Sequence, residues 1–556
     1  MTPSIRGNLQ RAGLFHLVAL SGLHVGLLLL LLYGAAALLR LHPRVRDFAC
    51  LVILGGYGLV VGTHPSLLRA LLMAGIYLVA KILGRPQAGW RAWLFTLILL
   101  LLVRPAWAMD TGFQLTFAAT LGILLMMPLY PARLPRGGWS GQVLKFFWMG
   151  FAAQLFVLPI LADAFHRVSW SGWLATPLAS LPIFPLLATG LLYMAGGAFV
   201  PGLHTVLGML LSLFARIFMW LPFHLGAIQH AGFFVVEPWA GWILLYFCAL
   251  GLIVSLPRAW KGSGWAMAAL LLCGAWCFPR PFEPPPRPEM AVLDVGQASC
   301  QVVLSPRSTF LVDAGTPGYK GRTSASSVIE PFLAREGVRH IDGVILTHWD
   351  SDHSGALPDL LRDIPIGWIA YPATDPPRSG LPAQIAALCR RRGVPLQPLH
   401  RYETMGTGRL SWDILNPSIR TPLPGENNRC IVAQTLLGRV SFLFTGDIEA
   451  RAESDLVARR LAPPAQVLVA PHHGSKTSST PRWLAHVRPL FVCFSVGRRN
   501  RYGHPAPEIV DRYKNMRAEI SRTDRDGGVL MVPRGGLVSV FRMRNGDWSS
   551  RLYGVK

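Results

Sequence analysis

The chain has 556 residues and a formal net charge of +24, too long for one ordinary domain and basic enough to suit an anionic partner, phospholipid or nucleic acid, unless the positive loops only fix membrane topology. Its eight cysteines are scattered, with no Cys-x-x-Cys pair, which argues against a disulfide framework. Charge divides the chain: 19 Lys and Arg stand against 5 Asp and Glu up to residue 288, and 34 against 24 from residue 289 onward.

The first half reads as membrane. About ten apolar runs approach the ~20 residues that a spanning helix needs. They are 14–39 and runs within 48–63, 66–84, 92–107, 112–130, 146–163, 173–199, 203–222, 239–256 and 263–279. The first is too long for a signal peptide and another follows closely. The 173–199 run carries Pro177, Pro182 and Pro185, so a broken or re-entrant segment is expected there. Alternate loops hold Arg40, Arg44 and Arg46; Lys81, Arg85 and Arg91; Arg133, Arg136 and Lys145; and Arg258 and Lys261. In the opposite loops Arg104 and Arg167 are the main basic residues. The positive-inside tendency puts the rich loops in the cytoplasm, so with ten spans both termini and the whole second half face outward.

Polar residues inside the spans are candidates for a path across the membrane: His16, Ser21, His24, Arg69, Asp110, Gln114 and Gln154. The plain alternative is buried, satisfied groups. For Arg69, near the start of a span, it is a stem that snorkels to the interface.

The expected organisation is a membrane domain over 1–279, a proline-rich linker over 280–288, a soluble domain over 289–545 and a tail over 546–556. In the soluble domain, AVLDVGQASCQVVLS (291–305), TFLVDAG (309–315) and DGVILT (342–347) read as strands. SSVIEPFLAREG (326–337) and HSGALPDLLRDI (353–364) read as helices. Three strands run straight into ligand-type residues. THWDSDHSG (347–355) follows one, VSFLFTGD (440–447) ends in Asp447, and AQVLVAPHHGS (465–475) carries His472 and His473. The spacing lets His348 and Asp350 address one cation position and Asp352 and His353 a second, with Asp447 between and the histidine pair closing the set. Mixed nitrogen and oxygen donors suit zinc or manganese, and two ions in such a site suit phosphodiester hydrolysis. Similar sites also hydrolyse lactams, esters and thioesters.

These motifs resemble those of the metallo-β-lactamase fold, with Asp350 in place of the second histidine of the common H-x-H-x-D-H pattern. Together with DVGQ (294–297), LVDAG (311–315), ENN (426–428), SVGRRNRYGHP (495–505) and RTDRDGGV (522–529), the soluble half resembles the ComEC family of DNA-uptake channels. HLVALSGLHVG (16–26), HPSLLRALLM (64–73), DTGFQLTFAATLGIL (110–124) and AQLFVLPI (153–160) are similar to that family's competence region. The resemblance implies a polytopic α-helical membrane domain followed by an α/β metallo-β-lactamase-like domain, an αββα sandwich. It implies a bacterial inner-membrane channel that passes one strand of transforming DNA, with a fused extracytoplasmic nuclease degrading the other.

Carried over by position, the metal ligands are His348, Asp350, Asp352, His353, Asp447 and one or both of His472 and His473, with Asp352, His353 and Asp447 catalytic. The cofactor is a divalent metal, as two ions of manganese or zinc. Asn427 or Asn428 stands where many relatives supply a further histidine, and Asp313 organises the site from behind. Ser475, Lys476, Asn500 and His504 are substrate-contact candidates, and the serine and lysine are alternatively helix caps. His24, Arg69, Asp110 and Gln114 are the membrane-domain candidates. The partners are DNA, membrane lipid and other competence proteins. Because no P-loop is visible, an ATP-driven motor among them is a separate protein.

The sequence departs from the family at Ala298 and Ser299, where it has Gly and Asp, and at Cys430, where it has Ser. Members usually carry further membrane helices and an OB-fold domain ahead of the competence region, in which this sequence begins. The alternatives are a membrane-tethered hydrolase of another phosphoester and a transporter with an inactive hydrolase half. The orientation is tested by reporters fused after residue 556: an enzyme active only outside the cytoplasm is expected to work and a cytoplasmic one to fail, and the reverse inverts the topology.

Overall fold

The structure is a computed structural model that describes residues 9, 14, 22–61, 65–85, 89–131, 133–169, 172–196, 202–227, 232–238, 240–255, 288–318, 323–407, 410–544 and 547–554. They form two compact units, Met1–Arg280 and Pro281–Lys556.

The described helices of the first unit are α1 (Gly22–Leu38), α2 (Pro43–Val61), α3 (Pro65–Ile82), α4 (Gly89–Val103), α5 (Thr111–Met126), α6 (Gly138–Phe165), α7 (Gly172–Gly196), α8 (Leu203–Ala227) and α9 (Ala240–Ser255). Each coincides with an expected apolar run. Among the described residues four stretches are long and apolar enough to cross a membrane: Thr111–Leu129, Gly138–Phe165, Gly172–Met194 and Leu203–Trp220. The run at 263–279, the basic pair Arg258 and Lys261, the linker except Pro288, and His16 and Ser21 lie outside the described residues. A short antiparallel ribbon joins β1 (Arg167–Ser169) to β2 (Gly232–Phe234).

The proline-rich run is not broken: α7 continues through Pro177, Pro182 and Pro185. Neighbours absorb the defect. Gly150 of α6 admits the Pro177 ring and the Trp173 carbonyl that Pro177 leaves without its helical donor, for a Cβ there would lie 2.9 Å from Pro177 Cγ and 3.2 Å from Trp173 O. The Ser180 and Thr189 hydroxyls donate back to Thr176 O and Pro185 O, each at 2.7 Å, which satisfies the hydroxyls inside the helix but not the carbonyls that the prolines orphan.

One end of α1, α2 and α3 is stapled by a buried acid. Asp47 accepts from the Tyr33 hydroxyl at 2.7 Å, Arg46 Nε at 3.0 Å and Lys81 Nζ at 3.1 Å. The contact brings the Arg40–Arg46 stretch and the Lys81–Arg85 stretch to the same end of the three helices, as their loop parity requires.

The second unit is two mixed sheets face to face. The first contains β3 (Glu289–Val292), β4 (Gln301–Ser305), β5 (Ser308–Val312), β6 (Ile341–Ile345), β7 (Ile366–Pro372) and β8 (Leu396–Leu399). The second contains β9 (Thr404–Thr407), β10 (Leu410–Asn416), β11 (Val432–Leu437), β12 (Val440–Phe444), β13 (Val467–Val469), β14 (Phe491–Phe494) and β15 (Glu519–Arg522). The chain then returns to the first sheet with β16 (Val529–Arg534), β17 (Leu537–Arg544) and β18 (Asp547–Gly554). The orders are β18-β17-β16-β3-β4-β5-β6-β7-β8 and β15-β14-β13-β12-β11-β10-β9. Strands β5 to β8 run parallel, as do β12 to β15; the rest are antiparallel. Residues expected as a tail instead pair along β17, from Leu537↔Gly554 to Arg544↔Asp547.

Helices cover the outer faces and complete an αββα sandwich. Ala450–Ala458, Pro481–Val487 and Pro507–Asn515 bury Leu456, Trp483 and Tyr513 against the second sheet. Glu330–Arg335, Leu357–Asp363 and Gly380–Arg392 follow β5, β6 and β7 as crossovers and bury Leu333, Leu360 and Ile385. β12 is buried on both sides, as its unbroken VSFLF sequence demands, whereas β10 alternates Leu410, Trp412 and Ile414 inward with Ser411 and Asp413 outward. Trp412 is fully buried between the sheets, with Phe310 at 5.7 Å in an edge contact and Phe444 at 5.5 Å. The cysteines among the described residues are free. Trp412→Ala is expected to destabilise the sandwich by about 3–5 kcal/mol, read as lost hydrogen-exchange protection across β10–β12, and Trp412→Phe by less.

Candidate metal centre

Parallel strands deliver their carboxyl ends to one edge of the sandwich. β5 ends before Asp313, and β6 runs into Thr347 and His348. The next turn carries Asp350, then Asp352 and His353 on the single-turn helix Ser351–Ser354. β12 leads to Asp447, and β13 to the turn Pro471–Gly474 with its two histidines.

Two donor groups form there. His348, His353 and Asp447 offer atoms all within 4.8 Å of one another, and so do Asp352, His353 and His473. His353 Nε2 lies 3.2 Å from Asp447 Oδ1, and His473 Nε2 lies 3.5 Å from Asp352 Oδ2 and 3.8 Å from Asp447 Oδ1. His472 Nε2 is 3.7 Å from Asp447 Oδ2. Asp350 is solvent-exposed and joins neither group, approaching only His348 Nε2, at 3.5 Å.

The imidazoles carry the strongest sign of a cation. Each of three buried rings has its Nδ1 engaged: His348 with the Thr347 hydroxyl at 3.0 Å, His353 with Asp313 at 2.7 Å, and His473 with the Ser495 carbonyl at 2.6 Å. The opposite nitrogen of all three is buried with no aligned hydrogen-bond partner. Buried polar atoms are rarely left so, and orienting one imidazole nitrogen while freeing the other is how proteins prepare metal ligands. The donor set therefore fits a divalent ion.

Electrostatics agree. Burial works against charge on Asp447, but His353 and His473 outweigh it and hold this carboxyl well below the usual range. Burial likewise opposes a charged Asp352, and His473 and His353 overcome it. Burial opposes a proton on His353, yet Asp447 and Asp313 raise its pKa well above the ordinary value; His473 is raised too, against burial, by Asp447 and Asp352.

Local backbone makes the geometry possible. His472 and His473 both adopt left-handed conformations, φ 49° and 54°, which cost L residues roughly 1–2 kcal/mol each. His472 N donates to Gly446 O at 3.1 Å and Ser475 N to His472 O at 2.8 Å, fixing the turn. Gly446 has φ +53°, and a Cβ there would meet Thr347 Cβ at 2.7 Å. Only glycine lets the strand bearing Asp447 approach the strand bearing His348 so closely.

Other expected residues have different work. Asn500 spends its amide on its own loop, donating to Gly497 O and His504 O and accepting from His504 N. Asn428 accepts from Ala452 N at the start of the helix Ala450–Ala458, and Asn427 Nδ2 reaches Glu449. The buried Ser475 hydroxyl is tied to Thr477, while Lys476 is exposed. His504 does reach the rim, its ring 5.9 Å from that of His472. Ser299 N donates to Asp352 O at 3.0 Å, so the DVGQAS turn still holds the Asp352 backbone. Thr347, the Ser495 carbonyl, and Glu449, 3.5 Å from His472 Nδ1, were not singled out by the sequence.

In the membrane unit Arg69 does not snorkel. It is 1% exposed and points into the seam of α3 and α5, donating to Gly112 O at 2.6 Å and Thr116 Oγ1 at 2.7 Å, with Asp110 at 3.9 Å. Asp110 caps α5 through Phe113 N, and Gln114 donates to Ala108 O. Gln154 donates to Ser169 O, and His24 is half-buried on α1.

Residues 1–260 match the family model described as Competence protein, and residues 293–489 the metallo-beta-lactamase superfamily. The chain is similar to ComE operon protein 3 of Bacillus subtilis, at 27% identity over 94% of this chain and 68% of that protein. It is similar to competence protein ComA of Neisseria gonorrhoeae, at 29% identity over 98% and 74%. Among solved structures it is similar to the metallo-beta-lactamase fold protein YhfI of Bacillus subtilis, at 13% identity and a TM-score of 0.30, covering 42% of this chain and 96% of that one.

Because Asp447 and Asp313 favour a proton on His353, and Asp447 and Asp352 one on His473, metal and protons compete for these rings. Manganese or zinc affinity, measured by calorimetry, is therefore expected to fall as pH drops, with proton release that differs between buffers of different ionisation enthalpy. Asp313→Ala is expected to weaken affinity ~10–100-fold.

Proposed function

The chain belongs to the ComEC family of competence proteins, a competence membrane region followed by a metallo-β-lactamase-superfamily domain, and on that premise we propose a channel for one strand of transforming DNA in the bacterial inner membrane. The second half, outside the cytoplasm, hydrolyses phosphodiester bonds of the strand that does not enter. The observation that carries the hydrolase reading is the convergence on Asp447 and Asp352 of three buried imidazole nitrogens, none with an aligned hydrogen bond.

The two donor groups overlap at His353, whose one available nitrogen serves a single ion; Asp447, within 3.2–3.8 Å of His353, His472 and His473, is the carboxylate able to bridge to a second, so the reading is two ions, of manganese or zinc. Bound divalent metal supplies Lewis acidity toward the phosphoryl oxygens and acidifies the attacking water. The chain's own residues do the rest. His348, His353 and His473 are held by Thr347, Asp313 and Ser495, so donors are in place before substrate arrives. Asp352 is partly exposed beside His473, and it is the carboxylate suited to receive a proton from the attacking water. His504, at the rim, is placed to contact the scissile strand.

The basic stretches brought together at the Asp47 staple favour a cytoplasmic end that attracts emerging phosphates. A transporter with an inactive hydrolase half is the second reading, favoured by Ser299 in place of a carboxylate. The full chain in neutral detergent, given end-labelled linear DNA and manganese or zinc, is expected to release nucleotides, and Asp352→Ala or Asp447→Asn to reduce release by at least ~100-fold. No release by the parent chain with either metal removes the nuclease reading. Undiminished uptake of labelled DNA into the cytoplasm of a deletion strain removes the channel reading.

A further inference from the structure

The loop from Ser495 to Ala506 reads SVGRRNRYGHPA and leaves Arg498, Arg499, Arg501 and Tyr502 exposed in almost continuous succession. Its tip is basic and aromatic, but its base is rigid. Ser495 Oγ donates to Ala298 O at 2.7 Å, and Gly497 N to Gln297 Oε1 at 3.0 Å. Asn500 ties Gly497 O to His504 O through its amide, and Ala506 N donates to Gly474 O at 2.9 Å, next to the histidine pair. The side chains at the tip are thus presented from a fixed frame.

The aromatic rings form a ladder out of the metal centre. The His504 ring stands edge-on to His472 at 5.9 Å, and Tyr502 stacks on His504 at 5.7 Å and 26°. Tyr502 is 73% exposed, so its outer face is free to take another flat ring. Among the described residues no hydrogen bond or ion pair engages the guanidiniums of Arg498, Arg499 or Arg501; Asp294 lies only within longer electrostatic reach of Arg498. Without metal the carboxylates of the centre repel an anionic polymer, and three unpaired cations on this loop offset that repulsion.

We propose that this loop is a clamp for single-stranded polynucleotide, with a base stacked on Tyr502 and the backbone phosphates on Arg498, Arg499 and Arg501. It deepens the phosphodiesterase reading, on which it rests for its purpose: the strand to be cut arrives unpaired. Interleaved arginine and aromatic side chains are the chemistry of single-strand binding, because every base has a face to stack while phosphate attraction is indifferent to sequence. A duplex keeps its bases covered, and an anionic lipid headgroup gains nothing from a stacked tyrosine.

The test is binding of a labelled single-stranded oligonucleotide of about twenty nucleotides, longer than a ~4–16 nucleotide site, to the full chain in neutral detergent with EDTA. The triple change Arg498→Ala, Arg499→Ala, Arg501→Ala is expected to weaken binding at least ~10-fold and to reduce the salt-dependence slope by about 2. Tyr502→Ala is expected to cost about tenfold, Tyr502→Phe little, and an abasic oligonucleotide to erase the Tyr502 effect. Arg390→Ala with Arg391→Ala, at the helix end that feeds the start of β8 and so opposite the metal edge, is expected to change nothing. Calorimetric metal binding verifies that each variant keeps its centre. Parental affinity and slope in the triple variant overturn the clamp, as does loss confined to anionic phosphatidylglycerol vesicles. Hydrolysis of bis(p-nitrophenyl) phosphate with manganese separates the two readings. A chain that binds through the loop and hydrolyses nothing keeps the clamp and loses the nuclease; one that hydrolyses the small diester with loop-independent oligonucleotide binding loses the clamp alone.

Discussion

Asp313 stands just past β5 with its carboxylate sealed from solvent, accepting from Thr347 N at 2.8 Å, Thr347 Oγ1 at 2.9 Å and His353 Nδ1 at 2.7 Å. A buried charge costs several kcal/mol unless it is fully paired, so these contacts are obligatory. Their consequence spreads in three directions. His353 is held with Nε2 facing the centre. Thr347, having given its only hydroxyl proton to Asp313, is left to accept from His348 Nδ1, which turns the second ring's Nε2 to the centre as well. The Thr347 side chain also packs where Gly446 has no Cβ, fixing how near the Asp447 strand comes. One acid, which need not touch metal, sets the positions of two histidines and an aspartate drawn from separate strands.

Much of this centre was legible because its ligands are local. His348, Asp352 and His353 lie within six consecutive positions, and Asp447 and the histidine pair each end an apolar strand, so pattern alone brings out all three groups. Asp350 looked equivalent to them; it belongs to neither buried trio, yet its carboxylate stays 3.5 Å from His348 Nε2 while half exposed. The supports were less readable. The Ser495 carbonyl that orients His473 belongs to a backbone atom every residue possesses, and Gln297 meets Gly497 across 200 positions of sequence. Asn500 carried a polar side chain in a suggestive motif, yet its bonds are all to its own loop.

The membrane half followed the same division. Hydropathy located the helices because it is a property of each segment by itself. It misjudged α7, since whether prolines break a helix depends on what lies beside them, here a glycine on α6 that admits the Pro177 ring. Arg69 sits near a span's start, where a long side chain can reach water; the carbonyl of Gly112 and the hydroxyl of Thr116 hold it inward instead. The sparse acids are informative in retrospect: Asp47 and Asp110 both pair with basic residues between helices.

The order of strands has a consequence for synthesis. β3, the first strand after the membrane region, lies inside its sheet, hydrogen-bonded to β4 on one side and to β16 on the other, where Val292 meets Val529 more than two hundred residues later. A nascent chain can pair β3 with β4 at once, but the second side of β3 stays open until residues 529–534 have left the ribosome. Long-range pairing of this kind is slow to form. The domain thus stays unclosed while most of it is being made, and its first sheet locks only when the last strands emerge to complete it.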